Sequence, residues 1–119
     1  MSKKYEKRLS DLVRQYVCSL LEREINDPRV RAITVTDVDV TPDTKFAKVY
    51  YSLIGDDARK AEVAEGLHSA QGWVSHEVGK RLRTRNTPHI TFEYDQSLEY
   101  GDKMSRLLDE LKSQEEPKG

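Results

Sequence analysis

The stretch AITVTDVDVTPDTKFAKVYYSLI, residues 32–54, decides the fold. Its first part, AITVTDVDV, is dense in β-branched residues. Its last part, FAKVYYSLI, places Ala47, Val49, Tyr51 and Leu53 on alternate positions, the period of a strand with one buried face. Between them TPDTK has the composition of a turn, so the stretch predicts a β-hairpin. In the first strand the apolar phase runs Ile33, Val35 and then slips to Val38, Val40, which predicts a bulge around Thr36 and Asp37.

Upstream, Tyr5, Leu9, Leu12, Val13, Tyr16, Val17, Leu20 and Leu21 recur at three- and four-residue steps, the stripe of an amphipathic helix. Pro28 disfavours helix at Asp27, so this helix should stop near Asn26 and NDPRV should form a turn leading outward. Downstream, Gly55, Asp56 and Asp57 make a turn and N-cap for a helical segment running to the low eighties. After Pro88, HITFEYD alternates Ile90, Phe92 and Tyr94 as a third strand. Met104, Leu107, Leu108 and Leu111 then mark a last helix, capped by Asp95 or Ser97. The expected class is α+β: a three-stranded sheet with helices on one face that bury all the apolar stripes. One domain over residues 1–112 with a polar tail over 113–119 accounts for the chain.

The segment after Asp57 contains Gly66, Gly72 and Gly79, each costing about 1 kcal/mol in a helix interior. Either the helix breaks at Ser69-Ala70-Gln71-Gly72, with the bend facing a ligand, or glycine lets a continuous helix sit tightly on the sheet. The break is the expectation. Beyond it, Val74, Val78 and Leu82 share one face and His76, Lys80 and Arg83 the opposite one, while Arg81 and Arg85 flank the core side. KRLRTRN, residues 80–86, is a solvated charged face or a phosphate-binding segment. Arginine's fork suits bidentate phosphate contacts, which favours RNA. Trp73 is expected to pack rather than to stack on a base.

A net charge of -1 does not announce a nucleic-acid binder. The distribution does more: residues 1–14 hold five Lys/Arg against two acids, residues 66–86 four against one, and residues 93–119 four against eight. No apolar run approaches the roughly 18 residues of a membrane span, and no stretch near the N-terminus resembles a signal peptide. The single Cys18 excludes an internal disulfide and fits a reducing, cytoplasmic setting. Its place on the helical wheel predicts a solvent-side thiol. His68, His76 and His89 show no HExxH spacing and no phosphate-cradling glycine loop occurs. Asp37, Asp39 and Asp43 read as solvated acids of a hairpin, so no catalytic residue, metal or cofactor is expected.

In sequence order, a helix followed by DPRV (27–30), ITVTDVDVTPDTKFAKVYYS (33–52), a helix containing AQG (70–72) and TPHITFEYDQSLEYG (87–101) resemble the ribosome-binding factor A family of bacterial small-subunit assembly factors. The resemblance extends from Tyr5 to about Leu111. It implies a type II KH-like fold whose helix is interrupted at an Ala70-x-Gly72 kink, where an ordinary KH domain carries a GxxG clamp for single strands. This chain has no GxxG, so folded rRNA shape and phosphate positions are the expected target.

Residue by residue, the resemblance places Ala70 and Gly72 at the kink, and Lys80, Arg81, Arg83 and Arg85, with Asn86, in the basic helix-to-strand segment. Lys3, Lys4, Lys7 and Arg8 fall in a second positive patch. One departure is Ser75, where the family often has a basic residue. The implied activity is non-enzymatic and needs no cofactor. It is binding of the free 30S subunit and its 16S rRNA late in maturation, near the decoding region, by a monomeric cytoplasmic protein that aids 5′-end processing and growth in the cold. The alternative is a protein-binding adaptor acting through the acidic C-terminal helix, whose apolar stripe would then be exposed rather than buried.

Overall fold

The computed structural model describes residues 3–31, 33–83 and 87–115. The chain runs α1 (Lys3–Arg23), α2 (Pro28–Arg31), β1 (Thr34–Val40), β2 (Phe46–Ser52), α3 (Asp57–Leu82), β3 (His89–Tyr94) and α4 (Ser97–Glu115). The class is α+β with a three-stranded mixed sheet.

Helix α1 buries Leu9, Val13, Val17, Leu20 and Leu21, as its stripe requires. It closes where the amides of Glu24 and Ile25 both donate to the Leu20 carbonyl. NDPRV does not lead outward. The Asp27 carboxylate accepts from the Arg29 amide at 3.0 Å and pairs with the Arg29 guanidinium at 2.7 Å. These contacts start the single turn of α2 and turn Val30 fully inward.

Strands β1 and β2 pair antiparallel, with the ladder shifting between Val35 and Asp37 where the apolar phase slips. The displaced Thr36 hydroxyl donates to Asp95 at 2.6 Å, tying the bulge to the far end of β3. Strand β3 joins β2 in parallel, giving the order β1-β2-β3. A parallel pair needs a crossover, and α3 supplies it.

Helix α3 is capped by Asp56, whose side chain accepts from the Arg59 amide, and ends at Arg83 in the left-handed region at φ 53°. It runs unbroken through Ser69 to Gly72. The expected division into two helices is therefore corrected, and tertiary packing is the reason. Val63, Leu67, Val74 and Val78 are fully buried along it, at roughly 1.5–3 kcal/mol each. That exceeds the ~3 kcal/mol that three helical glycines cost. Two of the glycines are also places of close approach: a Cβ at Gly66 would meet Arg29 and Val30 at 3.3 Å, and one at Gly79 would collide with Thr87. Gly72 has open space around it.

Ser75 is buried rather than presented to a ligand. The amides of His89 and Asp95 donate to Lys45 and Tyr51 of the β2 side, so the Ile90 amide points off the free edge of the sheet. There it donates to the Ser75 hydroxyl at 2.9 Å, and Ser75 in turn donates to the Gln71 carbonyl. This contact docks α3 on the edge strand.

The expectation that every apolar stripe is buried fails for α4. Among the described residues it packs against no other element, and Met104, Leu107, Leu108 and Leu111 are between 37% and 59% exposed. Its stripe is amphipathic, but α1 and α3 already occupy the helical face of the sheet. The molecule is accordingly long, with extents of 67 × 37 × 18 Å.

Replacing Ser75 with alanine leaves the Ile90 amide buried without an acceptor. The expected loss is about 1–2 kcal/mol after allowing for alanine's better helix propensity. It should be read as a lower urea midpoint at unchanged slope.

Candidate nucleic-acid interface

The turn of α3 that buries Val74, Ser75 and Val78 sends His68, Ser69, Gly72, Trp73, His76 and Lys80 outward. Gly72 leaves a patch of bare helix backbone on this face. Trp73 beside it is 41% exposed, so the indole is not the packed residue that its size suggested. Ala70 is half-buried and packs against the core cluster instead of sharing the outward face.

The four cations expected to act together divide into two kinds. Arg81 donates to Glu24 at 3.0 and 3.2 Å, to the Glu77 carboxylate at 3.0 Å and to the Glu77 carbonyl at 3.1 Å. Its charge is spent in clamping the end of α3 to the end of α1. Hydrogen bonding from Arg81, and then the nearby charge of Lys80, hold the Glu77 carboxyl below its usual value. Lys80 reaches Glu77 only at 3.4 Å and keeps most of its ammonium in solvent. Arg83 is exposed and, among the described residues, makes no ion pair. Arg85 and Asn86 lie outside the described residues.

At the other zone, Lys7 and Arg8 are exposed on the first turns of α1. Lys3 and Lys4 open that helix, and their side chains lie outside the described part of the structure. Arg14 is committed elsewhere, donating to the Val35 carbonyl at 3.2 Å. The Glu24–Arg81 contact puts the end of α1 beside the end of α3. Lys7 then lies roughly 25 Å up the α1 axis. The structure therefore presents two separate cationic patches rather than one.

Cys18 is not a solvent-side thiol. It is half-buried beside Leu21, Val30 and Ile33 around a shallow cavity of about 260 Å³, and burial pushes its pKa up despite the nearby Arg14. Among the described residues no three His, Cys, Asp or Glu side chains converge as metal ligands, and no helix is long and apolar enough to cross a membrane.

The family model for ribosome-binding factor A matches residues 5–108. The chain belongs to this family. It is 46% identical over 109 residues to ribosome-binding factor A of Caldanaerobacter subterraneus subsp. tengcongensis, covering 91% of this chain and 89% of that relative. The crystal structure of ribosome-binding factor A from Thermus thermophilus superposes with a TM-score of 0.66 at 19% identity, covering 75% of this chain and 94% of that one. A homology model of the Thermus thermophilus factor, fitted into a cryo-EM map of its 30S complex, gives 0.62 at 19% identity over 75% of this chain and 93% of that one. At such identity the two structural likenesses speak for the fold.

The roles of Glu24 and Glu77 were not read from the sequence. Glu77 and Arg81 stand four residues apart, a spacing that could have revealed their pair. Glu24 is 57 residues from Arg81, and no local signal links them.

Arg81→Gln should lower the melting temperature by roughly 2–5 °C, whereas Arg83→Gln should leave it unchanged. Because the Glu77 pKa is depressed in the folded state, its share of this stabilisation is complete above its ordinary value of 4.5 and lost as pH falls through the folded value. The gap between the two variants should therefore narrow in melts taken progressively below pH 4.5.

Proposed function

We propose that this protein is a non-enzymatic assembly factor that binds the free 30S subunit through 16S rRNA late in its maturation. The single observation that supports this best is the outward face of α3. A bare Gly72, an exposed Trp73 and the exposed cation Lys80 stand together on a helix whose other glycines are explained by packing, with Arg83 exposed at its C-cap. Family membership supplies the class of target, and a relative has been fitted into a map of its 30S complex.

The fold is read as a type II KH-like arrangement without a GxxG clamp. Contact is then made by phosphates on Lys80 and Arg83, continued by Arg85 and Asn86, and by a second set on Lys7 and Arg8, with Lys3 and Lys4 alongside. Two patches about 25 Å apart suit a folded RNA surface better than a short strand. The same reading assigns the protein to the cytoplasm, as a monomer when free. It also gives it a part in 16S 5′-end processing and growth in the cold.

A second reading is favoured by one specific observation, the exposed apolar stripe of the acidic helix α4. There the protein is an adaptor that docks a protein partner. Leu107→Asp with Leu108→Asp alters that stripe without touching the core. Loss of 30S binding in this variant would move the main attachment to α4.

For binding through Lys7, Arg8, Lys80 and Arg83, log affinity for purified 30S subunits against log salt should slope by about -3 to -4. A flat plot would refute phosphate contact. Gly72→Ala separates fold from function. It should stabilise the free protein by about 0.5–1 kcal/mol, since the methyl meets open space. It should also weaken subunit binding about 5- to 30-fold by standing between the helix and the RNA. Unchanged affinity would remove Gly72 from the interface.

A further inference from the structure

Two aromatic rings stand on the sheet face that the helices leave open. Strands β2 and β3 begin side by side, with Phe46 opposite His89 and the His89 amide donating to the Lys45 carbonyl at 2.8 Å. Alternation sends Ala47 and Ile90 into the core and the preceding residues out. Phe46 is 53% exposed, and its ring meets the His89 ring edge to face at 6.3 Å. A lone exposed apolar side chain is ordinary. A pair of exposed rings beside a cationic segment is the composition of a single-strand stacking site.

The neighbourhood is what sets this pair apart. Thr87 packs on Gly79 of α3. His89 lies two residues beyond Thr87, at most about 7 Å of chain, and Arg83 lies one turn beyond Gly79, roughly 6 Å along the axis. Lys45 is exposed immediately before Phe46. Lys45 and Arg83 therefore lie toward the same end of the sheet as the rings, while Lys80 stands on the far side of α3. Asp43, in the turn before Phe46, is engaged by the Thr41 hydroxyl and the Lys45 amide at 2.6 and 3.0 Å. Farther along the open face Lys48 is bound to Glu93 at 3.1 Å and paired in register with Asp39. A phosphate chain tracking there would meet acids, which confines any nucleic-acid contact to the end row.

We propose that Phe46, its ring braced edge to face by His89, is a stacking platform for one unpaired rRNA base, with the adjoining phosphates held by Lys45 and Arg83. The assignment rests on the rRNA-binding reading above and adds a second face to it. The strand rounds the end of the sheet from α3 to the open side. Because every base has a π-face, such a platform accepts any base that the folded RNA leaves unpaired.

The test is equilibrium binding of the full chain to purified 30S subunits across a salt series, with Phe46→Leu and Phe46→Trp. Leucine keeps an apolar side chain without a π-face, while tryptophan keeps the π-face. The expected result is a loss of at least about fivefold for Phe46→Leu at every salt concentration, with retention in Phe46→Trp. The salt slope should be unchanged because no cation is removed. Melting temperatures of the variants show whether the exposed position leaves the fold intact. Wild-type affinity in Phe46→Leu overturns the platform whatever the slope, and so does an equal loss in both variants, which would mark plain apolar packing. The wild-type slope by itself tests phosphate binding, so failure of the platform and failure of the rRNA reading give different results.

Discussion

The parallel pairing of β2 with β3 is the constraint on which the rest depends. It obliges the chain to return the whole length of the sheet before β3 can begin, and α3 is that return. A helix of 26 residues spans about 39 Å, whereas a six-residue strand spans about 20 Å. The crossover therefore overshoots the sheet it serves. The end of α3 meets α1 through Arg81 and Glu24, and helical period turns Lys80 outward while Leu82 still packs on the core. Ser75 fixes the register of this arrangement by accepting the outward amide of Ile90, which also takes one hydrogen-bond donor of the edge strand out of circulation.

The glycines of α3 show how fold and function divide a single element. Gly66 and Gly79 are needed because side chains of α2 and of the loop before β3 press against them. Gly72 lacks any such reason, and it sits on the face that also carries Trp73 and Lys80. It is the glycine of α3 for which packing gives no account.

Much of the fold could be read in the residues because the information was local. The slip from Val35 to Val38 located the bulge, and the alternation of Ala47, Val49 and Tyr51 located the buried face of β2. The expected helix break failed because glycine propensity is a local quantity, whereas the burial of Val63, Leu67, Val74 and Val78 is not. Non-local contacts also explain the other misreadings. Val30 turns inward under α3, Cys18 is covered by the approach of β1, and Arg81 finds a partner 57 positions away. At the candidate site, the outward placement of Lys80 and Arg83 followed from helical period alone. The Phe46–His89 pair required knowing that two strands far apart in sequence start side by side.

Helix α4 leaves the sheet from the end of β3, while α3 enters from its beginning. The first departs from the packed body, whereas the second lies along the strand it feeds. Nineteen residues of helix reach about 28 Å into solvent. The arm starts at the end of β3 opposite the one that α3 feeds, so its volume lies outside the packed body. The length of this helix, which among the described residues packs on no other element, sets how far the molecule reaches past its own core.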